Sequence, residues 1–325
     1  MIMSPLLSLP FMENDRQRVE KALVSSVTTN DAYMTEIASH LISAGGKRLR
    51  PVFTIMGSQV GNDNVATEDA ISGAISCELV HLGSLYHDDV MDESDMRRGV
   101  ETVNAKWGNL QAILAGDFLL AKASEIAASL GTEVAALLAR TIGHLCEGQI
   151  EELRHTYNVA RTIDSYLDSI DGKTAALYST AARIGGLVAG HDRAVVDALT
   201  AYGTAYGMVF QIVDDVLDLT ATDEELGKPA GNDMKEGVYT LPVIHTLAQG
   251  GKDAETLKSI LGNPLTVEER DTVLTIVRTN GGVEVAIEKA RQYVADAERA
   301  CDALPTGITA DAMRAATAAL LATVS

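Results

Sequence analysis

Residues 67–99 read TEDAISGAISCELVHLGSLYHDDVMDESDMRRG, an apolar run that ends in acidic residues and two arginines. The spacing of its apolar residues predicts a helix over 67–92. If the helix continues, Asp88 and Asp92 lie one turn apart on one face, and Asp95 begins the next turn. Carboxylates this close repel each other, so they favour a hard cation such as Mg²⁺, which also takes water and substrate phosphate as ligands. A solvated acidic helix end would equally explain one such motif.

The same DDxxD spacing occurs a second time. Asp214, Asp215 and Asp218 form DDVLD at the end of another apolar run, residues 202–213, and a polar, glycine-rich segment follows. Two such clusters on different helices can hold a metal-bound diphosphate from opposite sides. The repetition therefore favours a binding site over a solvated helix end.

The composition limits the possible partners. The chain has 325 residues, of which 46% are hydrophobic and 22% charged, as in ordinary globular proteins. Its formal net charge is −19, which argues against nucleic-acid binding, because the phosphate backbone requires a basic surface. An enzyme of anionic substrates must then concentrate its cations locally, and the chain does so at Lys47-Arg48-Leu49-Arg50 and at Arg97-Arg98.

The cysteines and the N-terminus give no sign of a secreted or membrane protein. Cys77, Cys146 and Cys301 are widely spaced without a CxxC pair, so neither a zinc site nor a disulfide framework is predicted. Residues 1–11 have no basic n-region and are too short to span a bilayer. We expect a cytoplasmic protein without a transmembrane segment.

Nearly every periodic segment has helical spacing, and no segment predicts a strand. No Pro/Ser-rich linker divides the sequence, so we expect one all-α domain over residues 1–325, in which residues 1–12 form an N-terminal tail. The predicted helices are 14–27, 31–44, 51–61, 67–92, 110–130, 133–154, 163–187, 193–219, 241–249, 266–280, 282–303 and 310–323.

A basic turn supplies a second candidate anion site. The segment GGKRLRP at 45–51 ends one helix and begins another. Its glycines allow close backbone approach, and Lys47 with Arg50 can bind a diphosphate without a metal. His81 lies two helical turns before Asp88 on roughly the same face and is a candidate donor to phosphate. Singly, these features would suit a solvated basic turn and a core histidine.

Further candidates lie on the later helices. Lys173 and Thr174 occur in a helical run of small residues, where a buried lysine requires an anionic partner. Phe210 and Gln211 precede the second acidic motif by one turn, where a ring and an amide can line the cavity. A place in the core is the more common fate of a residue such as Phe210.

The segments that follow the two acidic motifs contribute further cations. Arg97 and Arg98 can point to different sides of a loop, one toward each anion. Residues 227–237 form a glycine-rich loop long enough to act as a lid, with Lys228 and Lys235 closing over a metal-bound diphosphate.

This assembly indicates prenyl transfer. Carboxylate clusters and cations around one diphosphate make it a good leaving group, because they neutralise the charge that grows as the C–O bond breaks. A metal-free diphosphate site alongside would hold a second substrate, which attacks the carbocation.

These motifs closely resemble those of the trans-isoprenyl diphosphate synthase (polyprenyl synthetase) family. They occur between position 45 and about 242, in the same order as in the family. The resemblance implies the isoprenoid synthase fold, a single all-α bundle around a central tunnel, usually as a homodimer. The implied substrates are isopentenyl diphosphate and an allylic diphosphate, farnesyl or geranylgeranyl. The implied cofactor is Mg²⁺, three ions per active site when substrate is bound. Membrane contact would be peripheral, through the product.

The resemblance also assigns roles to residues, and Asp89 would support the metal ligands. The final proton would pass to the departing diphosphate. The metal ligands would be Asp88, Asp92, Asp214 and Asp218. The allylic diphosphate would bind Arg97, Lys173, Thr174, Gln211 and Lys228, and isopentenyl diphosphate would bind Lys47, Arg50, His81 and Arg98. The residues that act on the reacting diphosphate would be Asp88, Asp92, Asp214, Lys173 and Arg97.

Product length can be argued from the helix below Asp88. Ser84, Val80 and Cys77 follow down that face, with Gly83 beside Ser84, and none is a bulky aromatic residue. A growing chain could therefore pass about 10 Å along this wall. In the family, large aromatic residues one turn before the acidic motif resemble a floor of the channel, which limits the product to short chains. We expect a heptaprenyl to decaprenyl product of the kind used for quinone side chains, although the end of the channel could lie within residues 134–147.

Three alternatives deserve comparison. A terpene cyclase usually replaces the second acidic motif by an Asn/Asp-Ser/Thr-Glu pattern, so DDVLD argues against that class. A non-catalytic subunit of a heteromeric synthase would be expected to have lost acidic ligands, whereas both clusters are intact. A short-chain geranylgeranyl or farnesyl diphosphate synthase stays open as the alternative on product length.

Overall fold

The computed structural model describes residues 4–221 and 230–324. Lys228, predicted to bind the allylic diphosphate, lies outside the described residues. The all-α prediction is confirmed, and none of the described helices is long and apolar enough to cross a bilayer. The helices are α1 (Met12–Ser26), α2 (Ala32–Ser43), α3 (Leu49–Gln59), α4 (Glu68–Met91), α5 (Val103–Trp107), α6 (Asn109–Ser129), α7 (Thr132–Arg154), α8 (Ile163–Ile170), α9 (Ala176–Val188), α10 (Arg193–Thr220), α11 (Asn232–Lys235), α12 (Leu241–Gln249), α13 (Gly251–Ile260), α14 (Val267–Thr279), α15 (Gly282–Cys301) and α16 (Ile308–Leu321).

Helix α10 joins the two parts of the hydrophobic core. Leu199 and Tyr202 from its first half pack with α1–α4, α6 and α9. Val209 and Ile212 from its second half pack with α8 and the helices after residue 230. The second acidic motif therefore lies near the end of the most central helix.

Helix α4 carries the first acidic motif at its C-terminal end. Thr67 caps its N-terminus by accepting a hydrogen bond from the Ala70 N–H, as threonine commonly does. The helix ends at Met91, although the Asp92 N–H still donates to the Asp88 carbonyl at 2.8 Å. Asp88 and Asp92 therefore lie one turn apart, as predicted.

A two-stranded hairpin follows α4, so the expectations of no strand and of a further helical turn at Asp95 were wrong. Met96–Arg97 pairs antiparallel with Val100–Glu101. Arg98 and Gly99 connect them with φ of 53° and 78°, the left-handed pair that a two-residue type I′ turn requires. The local turn chemistry overrides the helical periodicity here.

The expected tail over residues 1–12 was also wrong for the described residues 4–12. A 3-10 turn at Pro5–Ser8 packs against α16, and Leu6 and Met12 are fully buried. The mildly apolar character of this segment reflects burial in the core.

Candidate active site

The two acidic motifs line one cavity of about 530 Å³. Asp88 and Asp92 reach it from the end of α4, and Asp214 reaches it from α10. Lys173 and Arg97 also line this cavity. We call this space the acidic cavity.

Burial disfavours the charged forms of two carboxylates of the acidic cavity, Asp88 and Asp92. Burial raises the pKa of Asp88 to about 6. The attraction of Lys173 lowers this pKa, and the repulsion of Asp92 raises it further. Burial also raises the pKa of Asp92. Within residues 4–221 and 230–324, no three His, Cys, Asp or Glu side chains are grouped closely enough to hold an ion by themselves. The donors are carboxylate oxygens, the ligands that hard divalent cations prefer.

Lys173 and Thr174 reach the cavity from a π-helical segment, Asp171–Ala175, where the sequence had predicted continuous α-helix over 163–187. Such an insertion re-aims side chains. Gly148 of α7 allows this segment to approach, because a Cβ there would lie 2.6 Å from the Lys173 backbone nitrogen. Lys173 Nζ lies 2.5 Å from Glu152 Oε1, the anionic partner that its burial requires.

A chain of hydrogen bonds connects the π segment with the second acidic motif. Thr174 Oγ1 donates to Gln211 Oε1 at 2.7 Å, and Gln211 Nε2 donates to Asp215 Oδ1 at 2.8 Å. Tyr166 donates to the other oxygen, Asp215 Oδ2, at 2.6 Å. Burial raises the pKa of Asp215 to about 7, although both hydrogen bonds lower it. Asp215 therefore orients Gln211.

Asp218 lies outside the lining of the acidic cavity, where it contacts residues 231 and 233. It is 4% exposed, its Oδ2 accepts from the Asp233 N–H at 3.3 Å, and its carbonyl accepts from the Gly231 N–H at 2.7 Å. Its role as a metal ligand stays a prediction, as does the lid over residues 227–237, of which 227–229 lie outside the described ranges.

Arg97 and Arg98 lie on two different cavities. Arg97 Nε donates to Asp89 Oδ1 at 2.5 Å and the side chain lines the acidic cavity. Arg98 donates to the Gly45 carbonyl and lines a second cavity of about 290 Å³. Asp89 is fully buried and accepts this hydrogen bond, and its supporting role at the metal site stays a prediction.

The second cavity, here the basic cavity, brings together all four residues predicted to bind isopentenyl diphosphate: Lys47, Arg50, His81 and Arg98. Arg50 Nη1 lies 3.3 Å from His81 Nε2, and its guanidinium lies 4.5 Å from the centre of the Tyr178 ring. Burial, followed by the repulsion of Arg50 and Arg98, places the His81 pKa well below its usual value. The imidazole is therefore neutral.

Arg48 has a different function from its neighbours in the basic turn. Its backbone is left-handed, with φ of 51°, and its guanidinium is buried. It donates to Glu20 at 2.6 and 3.1 Å and to Glu78 at 3.1 Å. Arg48 therefore anchors the turn, while Lys47 and Arg50 stay on the cavity.

The four residues of the predicted product wall do not all face one channel. Gly83 faces α6, because a Cβ on it would lie 3.0 Å from the Gly116 carbonyl oxygen. Cys77 faces α3, where it has a hydrogen bond with Thr54. Burial raises the pKa of the Cys77 thiol, and this hydrogen bond opposes the increase. Val80 is fully buried, and Ser84 is half-buried. The small size of Gly83 thus serves close helix packing.

Sequence reasoning missed several residues that shape the two cavities: Glu78, Glu152, Arg161, Tyr166 and Tyr178. None belongs to a motif with a diagnostic spacing, although the need of Lys173 for an anion pointed to a partner such as Glu152. Folding brings them to the site from separate helices and turns.

Comparisons with known proteins agree with this geometry. The profile of the polyprenyl synthetase family matches residues 31–277. Nonaprenyl diphosphate synthase of Mycobacterium tuberculosis is 39% identical over 89% of this chain and 86% of that protein. Heptaprenyl diphosphate synthase component 2 of Geobacillus stearothermophilus is 36% identical over 91% of each chain.

A solved structure extends the similarity to the whole fold. The polyprenyl synthase of Caulobacter crescentus, complexed with calcium and isoprenyl diphosphate, superposes with a TM-score of 0.91 at 30% identity, and the match covers 99% of this chain and 98% of that one. The similarity therefore includes the helices that carry both acidic motifs.

Proposed function

This chain belongs to the polyprenyl synthetase family, and we propose that it joins an allylic diphosphate, farnesyl or geranylgeranyl, to successive isopentenyl diphosphates. The observation that carries the proposal is the pair of cavities of opposite charge. Phe210 and Gln211, adjacent on α10, line one cavity each, so the two binding sites are neighbours. A diphosphate held through metal ions suits the acidic cavity, and one held by protein cations suits the basic cavity.

The acidic cavity would hold Mg²⁺ on Asp88, Asp92 and Asp214, with Asp218 supporting from below. Three ions per active site would be bound together with the substrate. The donor set fits, since it consists of carboxylates, and burial disfavours the charged forms of Asp88 and Asp92. Calcium in the Caulobacter structure supports a divalent ion here. The bound cation would neutralise the negative charge that develops on the leaving diphosphate.

The protein's own cations act on the same diphosphate. Lys173 is held against Glu152 and Arg97 against Asp89, so both ammonium and guanidinium are in place before substrate binds. Such preorganised charge is effective where a leaving group gains negative charge. Thr174 and Gln211 add hydrogen bonds, and Lys228 would close the site. The departing diphosphate, rather than a side chain, would take the final proton.

The basic cavity would orient isopentenyl diphosphate. Lys47, Arg50 and Arg98 supply positive charge. Gly46 leaves room for the Arg98 guanidinium, since a Cβ at this position would lie 2.9 Å from Arg98 Nη1. Because Arg50 donates to Nε2, the neutral His81 ring carries its proton on Nδ1 and can donate it to a phosphate oxygen. This cavity needs no metal, which distinguishes the acceptor from the allylic substrate.

The product would be an all-trans polyprenyl diphosphate of medium or long chain, heptaprenyl to decaprenyl, used for quinone side chains. Half-buried Ser84, one turn below Asp88, is the wall residue that supports this length. The names of the nonaprenyl and heptaprenyl relatives support the same range. A short-chain geranylgeranyl or farnesyl diphosphate synthase is the alternative.

We also propose a homodimer formed through α6. Leu110 and Leu114 are 75% and 65% exposed and Ile113 is 41% exposed on one side of this helix. An apolar patch of this kind marks an association surface. The free thiols of the cysteines suit the cytoplasm as the place of action.

The decisive experiment is an elongation assay with the protein alone. Purified protein receives Mg²⁺, farnesyl diphosphate and labelled isopentenyl diphosphate, and the products are separated by chain length. We expect heptaprenyl to decaprenyl products, and none in the presence of excess EDTA. Products no longer than geranylgeranyl would support the short-chain alternative. Incorporation only after addition of a second polypeptide would support a subunit of a heteromeric synthase.

A further inference from the structure

Arg161 is a buried cation on the wall of the acidic cavity. It is 5% exposed, and it lies directly before Thr162, which caps α8. Its Nη2 donates to Ser169 Oγ at 2.6 Å, and its Nη1 donates to the Tyr239 carbonyl oxygen at 3.1 Å. The guanidinium is therefore held at two points.

The charge of Arg161 is not opposed by a direct carboxylate in the described part of the chain. Both of its hydrogen-bond acceptors are neutral, and its Nε is buried without a partner among the described residues. Burial of an unpaired guanidinium is costly, so such a group is retained where an anion approaches. Lys173 and Arg97, by contrast, are each bonded to a carboxylate.

The surroundings of Arg161 direct its charge toward the cavity. The guanidinium lies 5.7 Å from the centre of the Tyr166 ring, and Tyr166 donates to Asp215. Tyr239, whose carbonyl it binds, lies between Val238 and Thr240, which both line the cavity. The acidic groups that raise the pKa of Arg161 against burial include Glu152 and Asp215, which also line the cavity.

We propose that Arg161 is a further cation of the diphosphate site, a fixed positive charge that stabilises the diphosphate anion bound in the acidic cavity. This inference rests on the proposed function, since it takes a diphosphate as the occupant. Acting through its charge, Arg161 would strengthen diphosphate binding roughly ten- to a hundredfold. A merely structural Arg161 would tie Tyr239 to α8 and affect folding alone.

The test measures binding of inorganic diphosphate with Mg²⁺ by calorimetry, together with thermal stability. We expect Arg161→Gln to bind diphosphate roughly ten- to a hundredfold more weakly, and Arg161→Lys to stay close to wild type because it keeps the charge. Ser169→Ala removes one acceptor but keeps the charge, so it should also bind normally. The KM for isopentenyl diphosphate should stay unchanged in all three. Arg161→Met is the second uncharged variant, in case Arg161→Gln is insoluble.

Two results would overturn the inference. One is wild-type diphosphate affinity in a folded uncharged variant. The other is equal loss of affinity in Arg161→Lys, Ser169→Ala and Arg161→Gln, parallel to loss of thermal stability. In either case an active wild-type enzyme would leave the proposed function standing. Wild-type protein that neither binds diphosphate nor elongates a prenyl chain would refute both.

Discussion

The Tyr166 hydroxyl donates a 2.6 Å hydrogen bond to Oδ2 of Asp215, the second carboxylate of the DDVLD motif. Gln211 donates to the other oxygen of the same carboxylate. Asp214, the adjacent residue, is exposed on the acidic cavity, whereas Asp215 is 4% exposed. Two neighbouring aspartates therefore have different surroundings, and we expect them to have different functions.

Asp214→Asn should lower kcat/KM for the allylic substrate by several orders of magnitude, because it removes a charged group that we propose as a metal ligand acting in the transition state. Asp215→Asn should cost only about 10- to 100-fold, the usual effect of a residue that orients others. Steady-state kinetics with both variants checks this. Equal losses would contradict the separate roles.

Asp88→Asn should abolish turnover and yet stabilise the metal-free protein at pH 7.5. Burial raises the Asp88 pKa to about 6, above its usual value near 3.9. Between pH 4 and pH 6 the folded state therefore binds more protons than the unfolded state. The charged Asp88 destabilises the fold fully above pH 6, and this contribution fades as the pH falls toward 4.

The measurement for Asp88→Asn is the melting temperature of variant and wild type with EDTA. The gain in the variant should be larger at pH 7.5 than at pH 5, and comparison at each pH removes the contributions of other groups. A loss of stability at pH 7.5 would show that the attraction of Lys173 for Asp88 outweighs burial.

Arg50→Lys should raise the KM for isopentenyl diphosphate at least about tenfold and leave the KM for the allylic substrate unchanged. Lysine keeps the charge but cannot reproduce the planar guanidinium that contacts both His81 and the Tyr178 ring. Initial rates with each substrate varied in turn give the two constants. Parallel changes in both would argue against separate diphosphate sites.

Ser84→Tyr should shorten the product, because it puts a ring one turn below Asp88. Gly83→Ala is the matched control on the neighbouring residue. It should lower the melting temperature, since its Cβ would lie 3.0 Å from the Gly116 carbonyl oxygen, but it should leave product length alone. Chromatography of the prenyl products measures the product length of both variants. An unchanged length distribution in Ser84→Tyr would refute the wall.

Leu114→Glu should convert the proposed homodimer into a monomer by placing a charge on the apolar side of α6. Val267, 61% exposed at the start of α14, provides the control Val267→Glu, which should leave the mass unchanged. Light scattering after gel filtration measures the molar mass. A monomeric wild type would exclude the homodimer. A dimeric Leu114→Glu would show that the interface lies elsewhere.

The sequence by itself determined the helical class and the two clusters of charged residues. Helical periodicity is a local property, so it placed the helices that carry DDVMD and DDVLD without knowledge of their neighbours. Clustered like charges also carry local information, because Lys47 with Arg50, and Asp88 with Asp92, require a counter-charge wherever the chain folds. A lysine among small apolar residues at 173 likewise pointed to an anionic partner.

Only the tertiary structure decided which residues of a motif face a cavity and which support it. Arg48 and Arg50 are two residues apart, yet Glu20 and Glu78 hold the first while the second contacts His81. Gly83 is small because α6 approaches it, a fact absent from its own helix. Arg161 belongs to no motif and joins the site because Ser169 and Tyr239 hold it there. Such contacts join residues distant in sequence, and local spacing carries no information about them.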